Sequence, residues 1–252
     1  MKLGAQLYTI KTYTQTVKDF DYSMSQIAHM GYKTVQLSGI GASITPEVAK
    51  EICDKYGLQI VITHNDANRI LYDTEKLIRD HEIMNCKYIG LGGMPEKYRS
   101  GEWIHRFYDD YKEVVNKIKD AGMLFMYHNH QFEFEKYNGK FLMDYILSDF
   151  SKDELGVTLD TYWLQYAGVD VCEWLYKLKD RIPCVHLKDM EVVKNEVVMA
   201  PVLEGNMNFK KIIKTLEDTN CEYMLVEQDI CRENPFTCLS KSYNNLVELG
   251  YR

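Results

Sequence analysis

Short apolar runs recur along this chain and alternate with segments in which apolar residues return every three or four positions. The runs are Leu3–Ile10, Thr34–Ile40, Leu58–Asn65, Tyr88–Gly92, Leu124–His130, Gly156–Asp160, Cys184–Lys188 and Tyr223–Gln228. Their length and content predict eight strands. Helical spacing follows almost every one and is clearest over Pro46–Tyr56, Trp103–Ala121 and Phe209–Asp218. Gly31, Gly57 and Gly122 stand where predicted helices end, and a left-handed helix cap favours glycine. Strands alternating with helices predict a parallel sheet with crossover helices. Eight such units predict an α/β fold, a single (β/α)8 TIM barrel, ahead of a doubly wound sheet. No linker or low-complexity stretch interrupts the pattern, so residues 1–252 are read as one barrel domain. Glu191–Asn206 is an insert after the seventh strand. Its hairpin-like stretch, Val192–Val198, is read as part of a loop over the barrel mouth.

The bulk numbers agree with this picture. A chain of 252 residues, 46% hydrophobic and 27% charged, has ordinary globular composition and the usual size of a barrel. It buries enough apolar surface to need no disulfides. The formal charge of −7 argues against a nucleic-acid partner, which asks for a basic face. Seven cysteines at irregular spacings, with no CxxC pair, predict reduced thiols and a cytoplasmic location. The segment Met1–Gln6 has no signal-peptide character, and no apolar run is long enough to span a membrane.

In a barrel the chemistry gathers at the C-terminal ends of the strands. The polar residues predicted there are Gln6 and Tyr8, Gln36, His64-Asn65-Asp66, His128-Asn129-His130, Asp160, His186 with Lys188 and Asp189, and Glu227-Gln228-Asp229. The remaining histidines, His29, His81 and His105, fall in predicted helices. Strand alternation puts His186 and Lys188 on one face, and likewise pairs His128 with His130 and Leu225 with Glu227. One polar residue at a strand end is commonly an ordinary hydrogen-bonded group. A set converging on one face asks for more, because carboxylates and imidazoles crowded in a cleft repel or desolvate badly. One divalent metal ion accepts both donor types. Mixed nitrogen and oxygen ligation suits Mn, Co, Zn or Fe ahead of calcium, with Mg also admitted. Tyr8 and Trp163 are read as aromatic walls for a sugar ring. The only Gly-rich stretch at the mouth, Gly90–Gly93, has no arginine cluster around it, so a free or glycosidic sugar is expected at least as readily as a phosphorylated one.

Four segments carry a resemblance: Tyr127-His128-Asn129-His130-Gln131-Phe132-Glu133-Phe134, Leu159-Asp160-Thr161-Tyr162-Trp163, His186-Leu187-Lys188-Asp189 and Val226-Glu227-Gln228. Through them essentially the whole chain resembles the xylose isomerase-like (β/α)8 superfamily, often labelled sugar phosphate isomerase/epimerase. Leu203-Glu204-Gly205-Asn206 is similar to that group's Gly-Glu-Gly loop. The resemblance implies a metal held by Asp160, His186, Glu227 and a strand-five residue. The family often reads Glu-x-His on strand five, where this chain reads His128-Asn129-His130. His128 is then the implied fourth ligand, with Glu133 as the competing candidate. A histidine there lowers the ligand charge, favours softer metals and removes a carboxylate that serves many relatives as a base. Relatives are often dimers or tetramers, so a homo-oligomer is among the expected assemblies.

The implied enzyme is an isomerase or epimerase acting on a keto sugar through an enediolate stabilised by the metal. Glu227 is expected to be ligand and base, with Glu133 and His130 as the other bases. Lys188 is expected to stabilise the developing oxyanion, His64 to move a proton or bind a hydroxyl, and Gln36 to contact substrate. A lyase is the alternative, expelling a β-substituent from a 3-keto sugar or glycoside through the same enediolate. An abasic-site endonuclease, which needs additional His and Glu ligands, and a non-catalytic sugar-binding protein rank lower.

Overall fold

The computed structural model describes all of residues 1–252. Its eight main strands are β1 (Lys2–Gln6), β2 (Thr34–Leu37), β3 (Gln59–Asn65), β4 (Tyr88–Leu91), β5 (Leu124–His128), β6 (Leu155–Asp160), β7 (Cys184–Leu187) and β8 (Tyr223–Val226). They form a closed barrel in which every neighbouring pair is parallel and β8 closes onto β1. β2, β4, β6, β7 and β8 are buried at every position. This is what strands read as continuous apolar runs require, with helices outside and packed side chains within. A small inner cluster holds Ile62, Tyr88, Met126, Cys184 and Leu225. Because strand side chains alternate, the residues two steps further on the same faces are His64, Gly90, His128, His186 and Glu227. The apolar plug therefore forms the floor beneath the polar mouth.

Helix ends follow local chemistry. Thr16 caps Val17–Met30 by accepting from the Asp19 N–H, and that helix closes at Gly31 with φ 110°. Gly57 and Gly122 also take positive φ, 67° and 74°, as expected of helix-terminating glycines.

The first strand is shorter than its apolar run. It ends at Gln6, and Leu7–Tyr13 forms a 3-10 helix. The Gln6 side chain accepts from the Tyr8 N–H at 2.6 Å and turns the chain there. The insert does contain a hairpin, Asp189–Val193 against Glu196–Ala200, turning at Lys194 and Asn195 with φ 50° and 68°. It stands beside the mouth, and none of its residues lines the central cavity. A second small hairpin, Lys136–Tyr137 against Lys140–Phe141, is too short to leave a mark in the apolar pattern. All seven cysteines are free thiols. No helix is long and apolar enough to cross a membrane.

Candidate metal centre

His128, Asp160, His186 and Glu227 each stand within one residue of the end of neighbouring strands, and each is almost wholly buried. One ligand atom from each lies within 4.8 Å of the others. What aims these atoms is the use made of the other end of each side chain. Asp160 caps the helix Thr161–Tyr166, with Oδ1 accepting from the Tyr162 and Trp163 N–H groups at 2.9 and 3.2 Å. Oδ2 is left for the centre. His128 Nδ1 lies 3.1 Å from the Gly92 carbonyl, which only accepts, so Nδ1 carries the proton and Nε2 faces inward. His186 Nε2 lies 2.7 Å from Gln36 Oε1 and donates to it, leaving Nδ1. Gln6 gives its carbonyl to the Tyr8 N–H, so its amide donates to Glu227 Oε1 at 2.6 Å and leaves Oε2. Anchoring the far atom of a ligand in this way fixes tautomer and orientation.

Of the four remaining atoms, His128 Nε2 and Asp160 Oδ2 lie 3.4 Å apart, a contact that holds no proton when Nδ1 carries it. His186 Nδ1 and Glu227 Oε2 are 3.1 Å apart, yet neither is in a hydrogen bond of proper geometry. Two imidazole nitrogens with two carboxylate oxygens form a donor set suited to a transition-series divalent ion.

A fifth group, Lys188, is built into the same floor. Its Nζ lies 3.0 Å from Asp160 Oδ2, 2.9 Å from Glu227 Oε2 and 3.0 Å from Asp229 Oδ2. Burial works to raise the Asp160 and Glu227 carboxyls, but Lys188 and the imidazoles overcome it and hold both well below the usual range. Burial and the Glu227 carboxylate push Asp229 up to about 7. Burial lowers His64, His128 and His130, the last to about 3, which keeps these imidazoles neutral. His186 differs: burial would lower it, but Glu227 and Asp160 hold it at about 9. A cation at Nδ1 displaces that proton.

Above the centre opens a cavity of about 470 Å³. His64, His130, Tyr8, Trp163, Lys188 and Glu227 all reach it, as expected from their places at the strand ends. His64 Nε2 and His130 Nδ1 are buried there without a partner. Four expected residues are not in its lining: Asp160 and His186 lie beneath it in the converging set, and Gln36 and Glu133 lie elsewhere. Gln36 is fully buried behind His186, because its position on β2 points into the barrel below the mouth. Glu133 stands apart from the four converging groups. It lies in a short 3-10 turn after β5, accepting from the Tyr127 hydroxyl at 2.7 Å and the His130 N–H at 2.8 Å. Burial pushes its carboxyl up to about 7.

Other residues shape the site as well. Gln6 orients Glu227. Asp229, expected at the end of strand eight two residues after Glu227, lines the cavity and holds Lys188, a role that the sequence does not assign to it. Lys11 lines the rim with its ammonium 3.7 Å from the Tyr8 ring centroid. No signal marked it, because the run Leu3–Ile10 reads as strand throughout. Asp189 accepts from the N–H groups of Leu203, Gly205 and Met207. The Gly-Glu-Gly-like segment is thereby folded around a buried carboxylate rather than into the cavity.

The profile of xylose isomerase-like TIM barrels matches residues 24–235. The chain belongs to this family. Among curated members, it is 29% identical to an inosose dehydratase of Clostridium perfringens over 158 residues, covering 54% of this chain and 52% of that one. The match thus spans about half the length of that relative. An inosose dehydratase of Clostridium beijerinckii is 26% identical over 258 residues, covering 95% and 72%. A sugar phosphate isomerase/epimerase of Parabacteroides distasonis superposes with a TM-score of 0.80 at 22% identity, covering 98% of each chain. The last likeness establishes the shared fold. The chain thus has the barrel architecture of this family, with a buried His/Asp/Glu cluster suited to a divalent metal.

Proposed function

We propose that this chain removes a proton from the carbon beside a carbonyl of a small keto sugar or cyclic keto polyol and completes the reaction by losing a hydroxyl group as water. The observation that carries the reading is the set of four anchored side chains, each with one atom turned toward a common point. A divalent ion held there, with Mn, Co, Zn or Fe as the candidates, supplies Lewis acidity to a substrate carbonyl. Glu227 is the base, because Oε2 faces the mouth while Gln6 holds Oε1. Lys188 remains charged and places its ammonium beside the charge that develops on oxygen. The C–H bond breaks to Glu227, its electron pair ends as a double bond to the adjacent carbon as that carbon's bond to its hydroxyl breaks, and the proton leaves Glu227 with the departing hydroxyl as water. His64 and His130, neutral and with unpartnered nitrogens, bind substrate hydroxyls, and Trp163 and Tyr8 flank the ring. The names of the curated relatives support dehydration as the outcome.

Isomerisation or epimerisation shares the first step and differs in returning the proton to carbon. The unpartnered His64 Nε2 favours it, since it offers a second group to relay a proton. Incubating metal-loaded protein in deuterated water with inosose and with simple ketoses, followed by mass spectrometry, separates the two. A product lighter by one water supports dehydration. Deuterium gained without loss of water transfers the case to isomerisation, and neither change with any substrate overturns the proton-abstraction reading. Elemental analysis of protein purified without a metal-affinity tag checks the centre itself, with about one equivalent of metal expected for a single four-donor site.

A further inference from the structure

We infer that the Lys188 ammonium competes with the divalent ion for the carboxylates of the centre and that Asp229 relieves this competition, so that the pair sets how tightly the ion is held. The inference rests on the metal reading above. Lys188 follows His186 by two residues, and alternation sends both side chains to the mouth. Its side chain is only 1% exposed, so its charge must be balanced where it stands. The oxygens that balance it, Asp160 Oδ2 and Glu227 Oε2, at 3.0 and 2.9 Å, are the two that the helix cap and Gln6 leave open. An ion drawing on them meets a fixed positive charge one hydrogen-bond length away from its own ligands. Such repulsion is strong in a buried site, where screening by water and salt is weak.

Asp229 is the release. Its Oδ2 lies 3.0 Å from Nζ, and it is not among the four converging groups. In its ionised form it gives the ammonium a counter-charge that the ion does not share. With Asp229 present, Lys188 stays paired while Asp160 and Glu227 turn to the ion. Without it, every charged partner of the ammonium is also one of the converging groups.

The test is the dissociation constant for Zn2+ and for Mn2+, measured by competition with a chromogenic chelator on the whole chain. Wild type, Lys188→Met, Asp229→Asn and the double variant are compared. We expect Lys188→Met to bind roughly 10-fold tighter and Asp229→Asn roughly 10-fold weaker, within the range of directly coupled groups. The effect of Asp229→Asn should shrink to about 3-fold or less in the Lys188→Met background, because its main route is gone. A wild type that binds metal beside a folded Lys188→Met that binds no more tightly overturns this inference and leaves the metal centre standing. If neither protein binds metal, the metal reading falls and this inference with it. Binding by Lys188→Met alone supports the competition and overturns only the expectation of a metal-loaded wild type. Should circular dichroism show Lys188→Met unfolded, Asp229→Asn decides: unchanged affinity there refutes the inference.

Discussion

Two buried histidines, one in the helical layer and one at the barrel mouth, are equally hidden from water and differ in almost everything else. His81, on the helix Thr74–Met84, places Nδ1 2.7 Å from the Leu77 carbonyl and Nε2 2.7 Å from the Thr63 hydroxyl. Both nitrogens are used, and burial pulls the ring down to about 4. His186 uses only Nε2, against Gln36, while Nδ1 faces Asp160 and Glu227, which hold the ring at about 9 against burial. Burial alone therefore does not mark a functional group. What distinguishes the mouth is one oriented, unbonded atom on each of several side chains, with the rest of each side chain tied down. His81, in the helical layer, is the same residue type with no open nitrogen.

Removing an open atom at the mouth breaks the comparison most sharply. Asp160→Asn or Glu227→Gln should lower metal affinity by more than about 100-fold, beyond what loss of a supporting partner causes. His81→Gln should leave that affinity unchanged and cost about 1–3 kcal/mol in unfolding free energy through an unsatisfied buried group. Chelator competition and denaturant unfolding on the same proteins read both effects, and a His81 variant that loses metal would erase the distinction.

Glu133 sharpens the comparison, because it sits near the mouth but is bonded like His81. Its carboxyl is raised from 4.5 to about 7 in the folded chain by burial. The folded state thus holds a proton that the unfolded state releases between those values. The stabilisation is present below the unfolded pKa and is lost as pH rises through about 7, with a full linkage of about 3 kcal/mol. Glu133→Gln cannot titrate, so its unfolding free energy should gain on wild type by up to this amount between pH 4.5 and pH 8. A difference that stays constant over that interval would contradict the assignment. Metal affinity should be unaffected, as Glu133 is not one of the converging groups.

The smallest effect expected concerns Gln36. If it serves by holding His186 in one tautomer, Gln36→Leu should weaken metal binding about 10- to 100-fold, the usual consequence of losing a ligand's supporting hydrogen bond. The Michaelis constant for a substrate should change less than the metal requirement does. A variant with normal metal affinity and impaired substrate binding would return Gln36 to the substrate-contact role that the sequence suggested.

All eight strands, the helices between them and the gathering of His128, Asp160, His186 and Glu227 at one end were legible along the chain. Period-two and three-to-four-residue spacing are local properties, and parallel strands buried on both faces leave continuous apolar runs. Alternation is local too, which is why spacing alone puts His186 and Lys188 on one face. The turn at Gln6 was not legible, because Leu7–Ile10 is as apolar as a strand and only the hydrogen bond from the Tyr8 N–H to the Gln6 side chain decides otherwise. Nor was the division of labour between Gln36, which supports His186 from 150 residues away, and Glu227, which Gln6 orients from 221 residues away. The contrast between His128, which converges with Asp160, His186 and Glu227, and Glu133, which spends both oxygens on Tyr127 and His130, is likewise visible only in space. Sequence determined which residue types reach the mouth, because strand geometry repeats every two residues. Tertiary structure alone decided which atom of each is left open, because that depends on partners brought by distant strands when the barrel closes.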